Sequence, residues 1–479
     1  MKNHPLSKRI GLFLGPLLFL IIQFSTISII LEKADTVIGV ALWMVIWWIT
    51  EAVSISVTAL LPLLLFPLFK IMPIADVGAN YGSPIVFLFF GGFVLALALE
   101  KVNLHKRIAL SIIKLTGTSP NKVTLGFMIA TAFMSMWISN TASTVVMLPI
   151  AMSVITLLIN DDDGFTKADK NFSLSVMLGI AFAANAGGIA TVIGTPPNSV
   201  LIGLLENEYN TEVSFAKWMS FGLPFSIILI SIVYLVLVKL LFPCKGLVFG
   251  ASLSVISNEL KKLGKLTPKE RHVLIIFAII VSLWIFRSLI NSLLPELKLS
   301  DTMISIFGAI ALFTIPNNLK KGDFILQWKD TQKLAWGILI LFGGGLALAK
   351  GMSASGIVDM VSANISNANI GILITASLLI VLMLFVTELM SNVALTAVLA
   401  PVVAGIAIGL DIPILHLLIP VTIASSCAFM LPMATPPNAI VFASGFIKVH
   451  QMARAGIILN LISVALLIVL FQYIMPLLF

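Results

Sequence analysis

Two short polar motifs each occur twice in this chain, and in the same order. Ser-Asn-Thr at 139–141 returns as Ser-Asn-Val at 391–393, and Thr-Pro-Pro-Asn at 195–198 returns unchanged at 435–438. All four motifs lie inside apolar sequence, and the two pairs have similar spacings of 252 and 240 residues. Helix interruptions at corresponding positions of two halves are typical of secondary transporters, whose substrate site lies where two repeats meet.

The composition places the chain in a membrane. Of its 479 residues, 59% are hydrophobic and 10% are charged, and the mean hydropathy is +1.10, whereas soluble domains are about 25% charged. The net charge of +8 does not indicate a nucleic-acid partner, because the basic residues lie in short loops between apolar runs. Cys244 and Cys427 are far apart and show neither a disulfide framework nor metal-ligand spacing.

The apolar runs predict an all-α polytopic membrane protein with about 11 transmembrane helices, since a crossing needs roughly 20 apolar residues. Two further stretches, 122–158 and 369–406, are too long for one helix and carry a Ser-Asn motif near the middle. We predict that each is a re-entrant hairpin, which is tolerated only where protein or a watery cavity surrounds it. The predicted crossings are at about 10–30, 36–54, 55–72, 84–100, 172–205, 217–242, 271–291, 301–317, 335–351, 411–445 and 452–478.

Charge and the number of crossings predict the orientation. With a cytoplasmic N-terminus, the outer segments hold only six of the 29 Lys and Arg residues, which fits the positive-inside rule and leaves the C-terminus outside. Five crossings per repeat make the two repeats inverted. The predicted units are an N-terminal helix (1–35), a first repeat (36–242), a cytoplasmic linker (243–270) and a second repeat (271–479). The linker and the segment 101–114 are predicted to be amphipathic surface helices.

The hairpin tips have the chemistry of anion sites. Ser139, Asn140 and Thr141 precede a half-helix, and Ser391 and Asn392 do the same in the second repeat. A helix N-terminus carries partial positive charge and free N–H groups, so two tips that face each other would suit a substrate with two carboxylates. The alternative is that Ser-Asn only caps each helix.

The Pro-Pro motifs predict helix breaks with free carbonyl oxygens around Gly194 and Ala434, because proline removes a backbone donor and clashes with the preceding turn. Ser135 and Thr387 each precede a tip serine by one helical turn. The hydroxyl oxygens of Ser135 and Thr387, the asparagine side-chain oxygens and the free backbone carbonyl oxygens are all neutral, and together they suit a small hard cation such as sodium. The alternatives are a kinked helix without a ligand and hydroxyls that bond their own helix.

Glu388 is an acid at membrane depth beside the second tip, where the first repeat has Met136. An acid in this position is a functional candidate, but the asymmetry favours a structural or supporting role, with proton coupling as the alternative. No Arg or Lys lies at either tip. We find no nucleophile elbow, P-loop or metal-ligand pair of histidines that would indicate an enzyme.

At these residues the chain resembles the divalent anion/sodium symporter family, which includes sodium-coupled di- and tricarboxylate carriers. The likeness covers nearly the whole chain and includes both tips, both breaks and the segments 47–52, 90–93 and 104–107. It implies a homodimer in which a transport domain, containing the hairpins and broken helices, moves as an elevator against a scaffold domain.

The resemblance also implies the site residues. The first sodium site would use Ser135, Ser139, Asn140 and Gly194, and the second would use Thr387, Met390, Asn392 and Ala434. Val393 departs from the family, which often has Thr there, so the second pocket loses a donor. The residues that would meet the substrate carboxylates are Ser139, Asn140, Thr141, Thr195, Pro196, Ser391, Asn392, Val393, Thr435 and Pro436.

Together these features predict a carrier of C4–C5 dicarboxylates such as succinate, malate, fumarate or 2-oxoglutarate in a bacterial cytoplasmic membrane. Sodium ions are the expected coupling ions, and no other cofactor is expected. A sodium-independent dicarboxylate exchanger is the nearest alternative, because the family includes such exchangers. A sulfate carrier, an ion channel and a membrane-embedded enzyme are the remaining alternatives.

Overall fold

The computed structural model describes residues 6–24, 32–117, 119–159, 166–244, 252–318, 323–368 and 371–479. The regular secondary structure of the described residues is almost entirely helical. Eight of the described helical stretches are long and apolar enough to cross a membrane. The predicted end of the first helix at residue 30 and the first half of the linker lie largely outside the described residues. The prediction of a helical membrane protein is confirmed.

The described residues of the N-terminal part are mostly helical but are divided into more helices than the sequence predicted. The crossing predicted at 55–72 is present as the apolar helical stretch Ile55–Leu68, but a turn at Ala59 and Leu60 divides it into two short helices, with Pro62 in the first turn of the second. The helices of this part are α1 (Leu6–Phe24), α2 (Glu32–Thr50), α3 (Ile55–Thr58), α4 (Leu61–Leu68), α5 (Ile74–Tyr81), α6 (Pro84–Lys101) and α7 (Leu104–Thr116).

The first set of motifs lies in the next five helices. Residues 136–139 form a non-helical tip between two of them, and residues 189–195 form a non-helical break between the next two. The last helix continues as a π-helix, Leu235–Leu241. These helices are α8 (Pro120–Ser135), α9 (Asn140–Ile159), α10 (Lys167–Gly188), α11 (Pro196–Tyr209) and α12 (Phe215–Tyr234).

The middle of the chain contains the linker helix and two further apolar helices, α13 (Ser252–Lys262), α14 (Pro268–Leu293) and α15 (Asp301–Thr314). The crossing predicted at 301–317 ends three residues early, because Pro316 cannot continue the helix and instead begins a short strand. This strand, β1 (Pro316–Asn318), pairs antiparallel with β2 (Asp323–Phe324). A 3₁₀-helix at Trp328–Lys333 leads into the second set of motifs.

The second set repeats the order of the first. A non-helical tip at 387–391 joins two helices, and a non-helical break at 427–435 divides the next pair. A π-helix at Leu470–Ile474 interrupts the last apolar stretch. The helices are α16 (Trp336–Ala354), α17 (Ile357–Ala368), α18 (Ile372–Val386), α19 (Asn392–Gly409), α20 (Ile414–Ser426), α21 (Pro436–Phe442), α22 (Val449–Val469) and α23 (Met475–Leu478).

The broken helices form the centre of the molecule. Every residue of α10 from Phe172 to Gly188 is buried, whereas α14 exposes apolar side chains along most of its length, including Phe286 and Leu289. A helix that is apolar on all sides is either buried or faces lipid. The distribution therefore places the first broken helix in the interior, away from the surfaces that would contact lipid.

The two predicted surface helices are present as α7 and α13, and ion pairs join them. Lys106 on α7 lies 3.1 Å from Glu259 on α13, and Lys262 lies 2.6 Å from the same carboxylate. Hydrogen bonds from Lys262 and Lys106 hold the pKa of Glu259 below its ordinary value. Arg107 also pairs with Glu270, at 2.7 Å, at the start of α14. These contacts tie the linker to the segment that leads into the first tip.

Candidate substrate and cation site

Both hairpin tips end in a capped half-helix. The Ser139 hydroxyl oxygen accepts a hydrogen bond from the backbone N–H of Ala142 at 3.2 Å, and that of Ser391 accepts from Ala394 at 3.5 Å. Each tip serine therefore caps the helix that follows it, as the alternative interpretation predicted. A hydroxyl that accepts through a lone pair still has its own proton to donate, so each cap leaves one O–H available to an anion.

The tips remain accessible to a ligand. Ser139 and Thr141 are exposed, and the other tip residues, Asn140 and 391–393, are half-buried. The two tips thus present hydroxyl and amide groups at the N-termini of α9 and α19. This arrangement of partial positive charge and free donors can bind carboxylate oxygens.

Each Pro-Pro motif starts a half-helix, as predicted. α10 stops at Gly188 and α11 begins at Pro196, while α20 stops at Ser426 and α21 begins at Pro436. Thr195 and Thr435 are the capping residues and are buried, Pro196 is half-buried and Pro436 is exposed. The motif threonines therefore lie at the N-termini of two further half-helices.

The asparagine of each Thr-Pro-Pro-Asn motif stabilises the non-helical break that precedes it. The side-chain amide of Asn198 donates to the carbonyl oxygen of Thr191 at 2.9 Å, and that of Asn438 donates to Leu431 at 3.0 Å. Both asparagines are fully buried. Sequence reasoning had noted these residues without assigning them a role, although their recurrence in both motifs was a signal.

The first break and the first tip meet in a cluster of oxygens. The Ser135 hydroxyl lies 2.7 Å from the carbonyl oxygen of Ala184 and 2.6 Å from the side-chain oxygen of Asn140. The same Asn140 atom lies 3.2 Å from the carbonyl oxygen of Gly194 and 3.3 Å from that of Ala184. Ser135, Asn140 and Gly194 are thus brought together as predicted, while the Ser139 side chain caps α9 instead.

This geometry fits a hard cation. Oxygen ligands at about 2.4 Å from a cation are about 3.4 Å apart when they lie at right angles, close to the 3.2 and 3.3 Å between Asn140 and the carbonyl oxygens of Gly194 and Ala184. The Ser135 hydroxyl lies closer, at hydrogen-bond distances of 2.6 and 2.7 Å. Amide oxygen and nitrogen are assigned from their surroundings. With nitrogen at this position Asn140 donates to the two carbonyls, which is the orientation that satisfies these groups by themselves. With oxygen there, four oxygens would be available to ligate a cation. Ala184 was not predicted, because no side-chain pattern marks a backbone ligand.

The second cluster is arranged similarly but joins fewer of the predicted residues. The Thr387 hydroxyl donates to the carbonyl oxygen of Ser425 at 3.0 Å, as Ser135 does to Ala184. Met390 and Ala434 are buried. Among the described residues, no hydrogen bond joins Thr387 to Met390, Asn392 or Ala434.

The two sets of motifs interlock. α9 packs on α21 and α11 packs on α19, so the second helix of each hairpin contacts the half-helix that follows the other set's break. The side-chain amide of Asn185 on α10 donates to the Thr435 hydroxyl at 3.1 Å and to the carbonyl oxygen of Ala428 at 3.3 Å. The two motif sets therefore contact each other, and Asn185, which the sequence did not single out, joins the first broken helix to the second break.

A family model described as the sodium:sulfate symporter transmembrane region matches residues 7–479. The chain belongs to this family. Among its relatives, the sodium-dependent dicarboxylate transporter SdcS of Staphylococcus saprophyticus is 38% identical over 484 residues, covering 99% of this chain and 93% of the relative. The protein of the same name from Staphylococcus aureus is 40% identical over 487 residues with the same coverage.

Two solved transporters share the fold of this symporter-family chain. The YdaH transporter of Alcanivorax borkumensis aligns with a TM-score of 0.57 at 14% identity, covering 98% of this chain and 99% of that one. The MtrF efflux pump of Neisseria gonorrhoeae aligns with a TM-score of 0.52 at 10% identity, covering 98% and 95%. At these identities the likeness supports the fold alone, which is that of a membrane transporter.

Glu388 in this symporter-family chain contacts the second break. Its carboxylate accepts hydrogen bonds from the backbone N–H groups of Phe429, Met430 and Leu431 at 2.9, 2.9 and 3.1 Å. The side-chain amide of Asn460 donates to it at 2.7 Å. These contacts give Glu388 the structural role that the asymmetry of the sequence favoured.

Proposed function

We propose that the protein is a sodium-coupled secondary transporter of dicarboxylates. The observation that carries this proposal is the packing of each hairpin's second helix on the half-helix after the other set's break, with a cluster of neutral oxygens beside the first tip. The two tips supply two anion pockets without a basic side chain, and the oxygen cluster supplies a cation site. The names of the relatives, sodium-dependent dicarboxylate transporters, support the same function.

The substrates we propose are C4–C5 dicarboxylates such as succinate, malate, fumarate and 2-oxoglutarate. A molecule with a carboxylate at each end can engage both tips at once, whereas a single tetrahedral anion such as sulfate can occupy only one pocket. Two-point binding favours dicarboxylates over sulfate. The residues proposed to contact the carboxylates are Ser139, Asn140, Thr141, Thr195, Pro196, Ser391, Asn392, Val393, Thr435 and Pro436.

Sodium is the proposed coupling ion, and it is carried as a substrate. Its first site consists of Ser135, Asn140, Gly194 and Ala184, with Ser139 contributing through its backbone. The second consists of Thr387, Met390, Asn392, Ala434 and Ser425. Positive charge at these positions would partly neutralise the two substrate carboxylates, so sodium and dicarboxylate bind favourably together in the low-dielectric interior.

The wider architecture is part of the proposal. We propose inverted repeats at 36–242 and 271–479, a cytoplasmic N-terminus and an outer C-terminus. The protein would be a homodimer in a bacterial cytoplasmic membrane. The central helices α8–α12 and α18–α22 would move as a transport domain against a scaffold formed by the remaining long helices.

Uptake of radiolabelled succinate into proteoliposomes tests the function. External sodium is present or replaced by choline, and internal succinate is present or absent. We expect uptake into vesicles without internal succinate that requires external sodium. Asn140→Ala and Asn392→Ala should each abolish it, while Asn171→Ala, an asparagine outside the tips that bonds the Pro243 carbonyl, should leave it unchanged.

Other outcomes point elsewhere. Uptake that requires internal dicarboxylate and ignores sodium would make the protein an exchanger. Sulfate that competes with succinate at equal concentration would undermine two-point binding. Near-normal uptake by both folded tip variants would remove the tips from the substrate site.

A further inference from the structure

Glu388 is a buried acid with an unusual set of partners. It is 3% exposed, and all four of its hydrogen bonds are donated by N–H groups, three of them from consecutive backbone residues 429–431. Successive N–H groups that converge on one point form an anion-binding concavity. Both carboxyl oxygens act as acceptors in these four hydrogen bonds, the arrangement that stabilises an ionised carboxylate.

The charge of Glu388 is not balanced by a nearby basic side chain. Among the described residues, no Lys, Arg or His forms an ion pair with it. A buried charge without a partner is costly. A cation that binds nearby would therefore be stabilised by this carboxylate.

The matched position in the first repeat works differently. Met136 carries no charge, and its carbonyl oxygen accepts from the Thr191 hydroxyl at 2.6 Å. The backbone N–H groups of Ile189 and Ala190 bond carbonyls of the preceding turn, Ala186 at 3.3 Å and Gly187 at 3.1 Å. The first break therefore keeps its shape without an acid.

Glu388 is directly connected to the second cation site. It follows Thr387, whose hydroxyl bonds Ser425, and it fixes residues 429–431, three residues before Ala434. The Leu431 peptide is held on both sides, by Glu388 at its N–H and by Asn438 at its carbonyl oxygen. A change at Glu388 would displace the backbone that leads to Ala434 and remove a negative charge next to Thr387.

We propose that Glu388 is the positioning residue of the second cation site. Its carboxylate holds the break at 427–435 in its non-helical shape and supplies a negative charge that the first site lacks. The second site consequently binds sodium more tightly than the first. This inference rests on the proposed sodium coupling.

Sodium binding without substrate tests the proposal. The purified full-length protein is titrated with sodium chloride at constant ionic strength, with choline as the replacement cation, and thermal unfolding is followed by tryptophan fluorescence. A ligand that binds only the folded state raises the unfolding temperature by mass action. Glu388→Gln keeps the volume but removes the charge, and it should need at least about tenfold more sodium for the same rise.

Two control variants distinguish the loss of the Glu388 charge from a general disturbance of the structure. Asn460→Ala removes one donor and keeps the carboxylate, so its sodium titration should stay within about threefold of the parent protein. Thr191→Val removes the corresponding connection in the first repeat and should leave the tighter sodium component unchanged. At saturating sodium, the KM of Glu388→Gln for succinate should stay within about threefold of the parent value, because the tips are intact.

The outcomes are distinguishable. A parent protein that does not respond to sodium would contradict the proposed coupling. A parent that responds and a Glu388→Gln variant with the same sodium titration would overturn the role of Glu388, as would an equal loss in Asn460→Ala. If Glu388→Gln does not yield folded protein, Glu388→Asp, whose carboxylate lies one methylene further back, should fold and bind sodium more weakly. An unchanged titration in that variant would also overturn the inference.

Discussion

The two helix breaks have the same motif but are stabilised by different chemistry. At the first break, Trp218 donates to the carbonyl oxygen of Ile189 at 2.9 Å and Thr191 donates to Met136. These contacts are neutral and mostly involve carbonyl oxygens. At the second break, the Glu388 carboxylate gathers the N–H groups instead. The comparison shows that a repeated backbone shape does not require repeated side-chain partners.

Both breaks are packed closely against a glycine of a neighbouring helix. A Cβ atom at Gly222 on α12 would lie 2.9 Å from the carbonyl oxygen of Ile189, and one at Gly456 on α22 would lie 2.5 Å from the Cα atom of Met430. Each break is thus packed against a helix that approaches it at a glycine. The close approach of the backbones and the hydrogen bonds of Asn198 and Asn438 are common to both repeats, and the other polar partners have diverged.

The largest expected effect comes from a methyl group added at the first break. A Cβ atom at Gly188 would lie 2.6 Å from the Asn140 side-chain oxygen and 3.1 Å from the Gly194 carbonyl oxygen. Gly188→Ala should therefore displace two members of the first oxygen cluster. We expect sodium-dependent succinate uptake to fall by about 100-fold, equal to about 2.8 kcal/mol.

The matched change in the second repeat is the control. Ala428 occupies the position that corresponds to Gly188, and it already carries a Cβ atom there, fully buried. Ala428→Gly should cost only about 1 kcal/mol of stability and leave most of the uptake. Equal losses of uptake in the two variants would mean that the space around Gly188 is no more restricted than the space around Ala428. Normal uptake in Gly188→Ala would exclude Asn140 and Gly194 as cation ligands.

A smaller effect is expected from exchanging the third residues of the tips. Thr141 is exposed at the first tip and Val393 is half-buried at the second, and only the first tip has a hydroxyl group at its third residue. A hydrogen bond to a charged group contributes about 1.5–3 kcal/mol, so Thr141→Val should raise the KM for succinate about tenfold. Val393→Thr should lower it by a smaller factor.

Initial uptake rates across succinate concentrations, at saturating sodium, measure both changes. The double variant, with Val at 141 and Thr at 393, should recover part of the loss if the two pockets bind equivalent carboxylates. No change of KM in either single variant would show that these third residues do not contact the substrate.

Much of the fold was predictable because apolar length and proline positions act locally. The two tips, both breaks, α7 and the linker helix follow from residues that are adjacent in sequence. The division of the stretch 55–72 into two helices was not predicted, because total hydropathy does not register that Pro62 lies in the first turn of a second helix. The end predicted for α15 was wrong for a similar reason, since Pro316 fits the apolar pattern but cannot extend a helix.

The candidate site was only partly predictable. The tip serines and asparagines could be found because they recur, but the carbonyl oxygens of Ala184 and Ser425 have no side-chain signature. Asn185 is a single asparagine in an apolar run, and its partners at Ala428 and Thr435 are more than 240 residues away. Glu388 was visible as an anomaly, but its four donors come from segments that only the fold brings together.

The smallest expected effect concerns the helices that support the two breaks. Ser226 on α12 and Asn460 on α22 occupy corresponding places, and Ser226 donates to the carbonyl oxygen of Ala186 at 2.8 Å. That carbonyl also accepts from Ile189, so Ser226→Ala leaves it with a partner and should cost about 0.5–1.5 kcal/mol of unfolding free energy.

Asn460→Ala removes a donor from a buried carboxylate and should cost about 1.5–3 kcal/mol. Thermal unfolding of the two purified variants in the absence of sodium measures this difference. A larger loss for Ser226→Ala than for Asn460→Ala would contradict an ionised Glu388. If Glu388 were neutral, its hydrogen bond with Asn460 would stabilise the protein about as much as the hydrogen bond between Ser226 and the Ala186 carbonyl. The order of the two losses therefore reports directly on the charge that distinguishes the second break from the first.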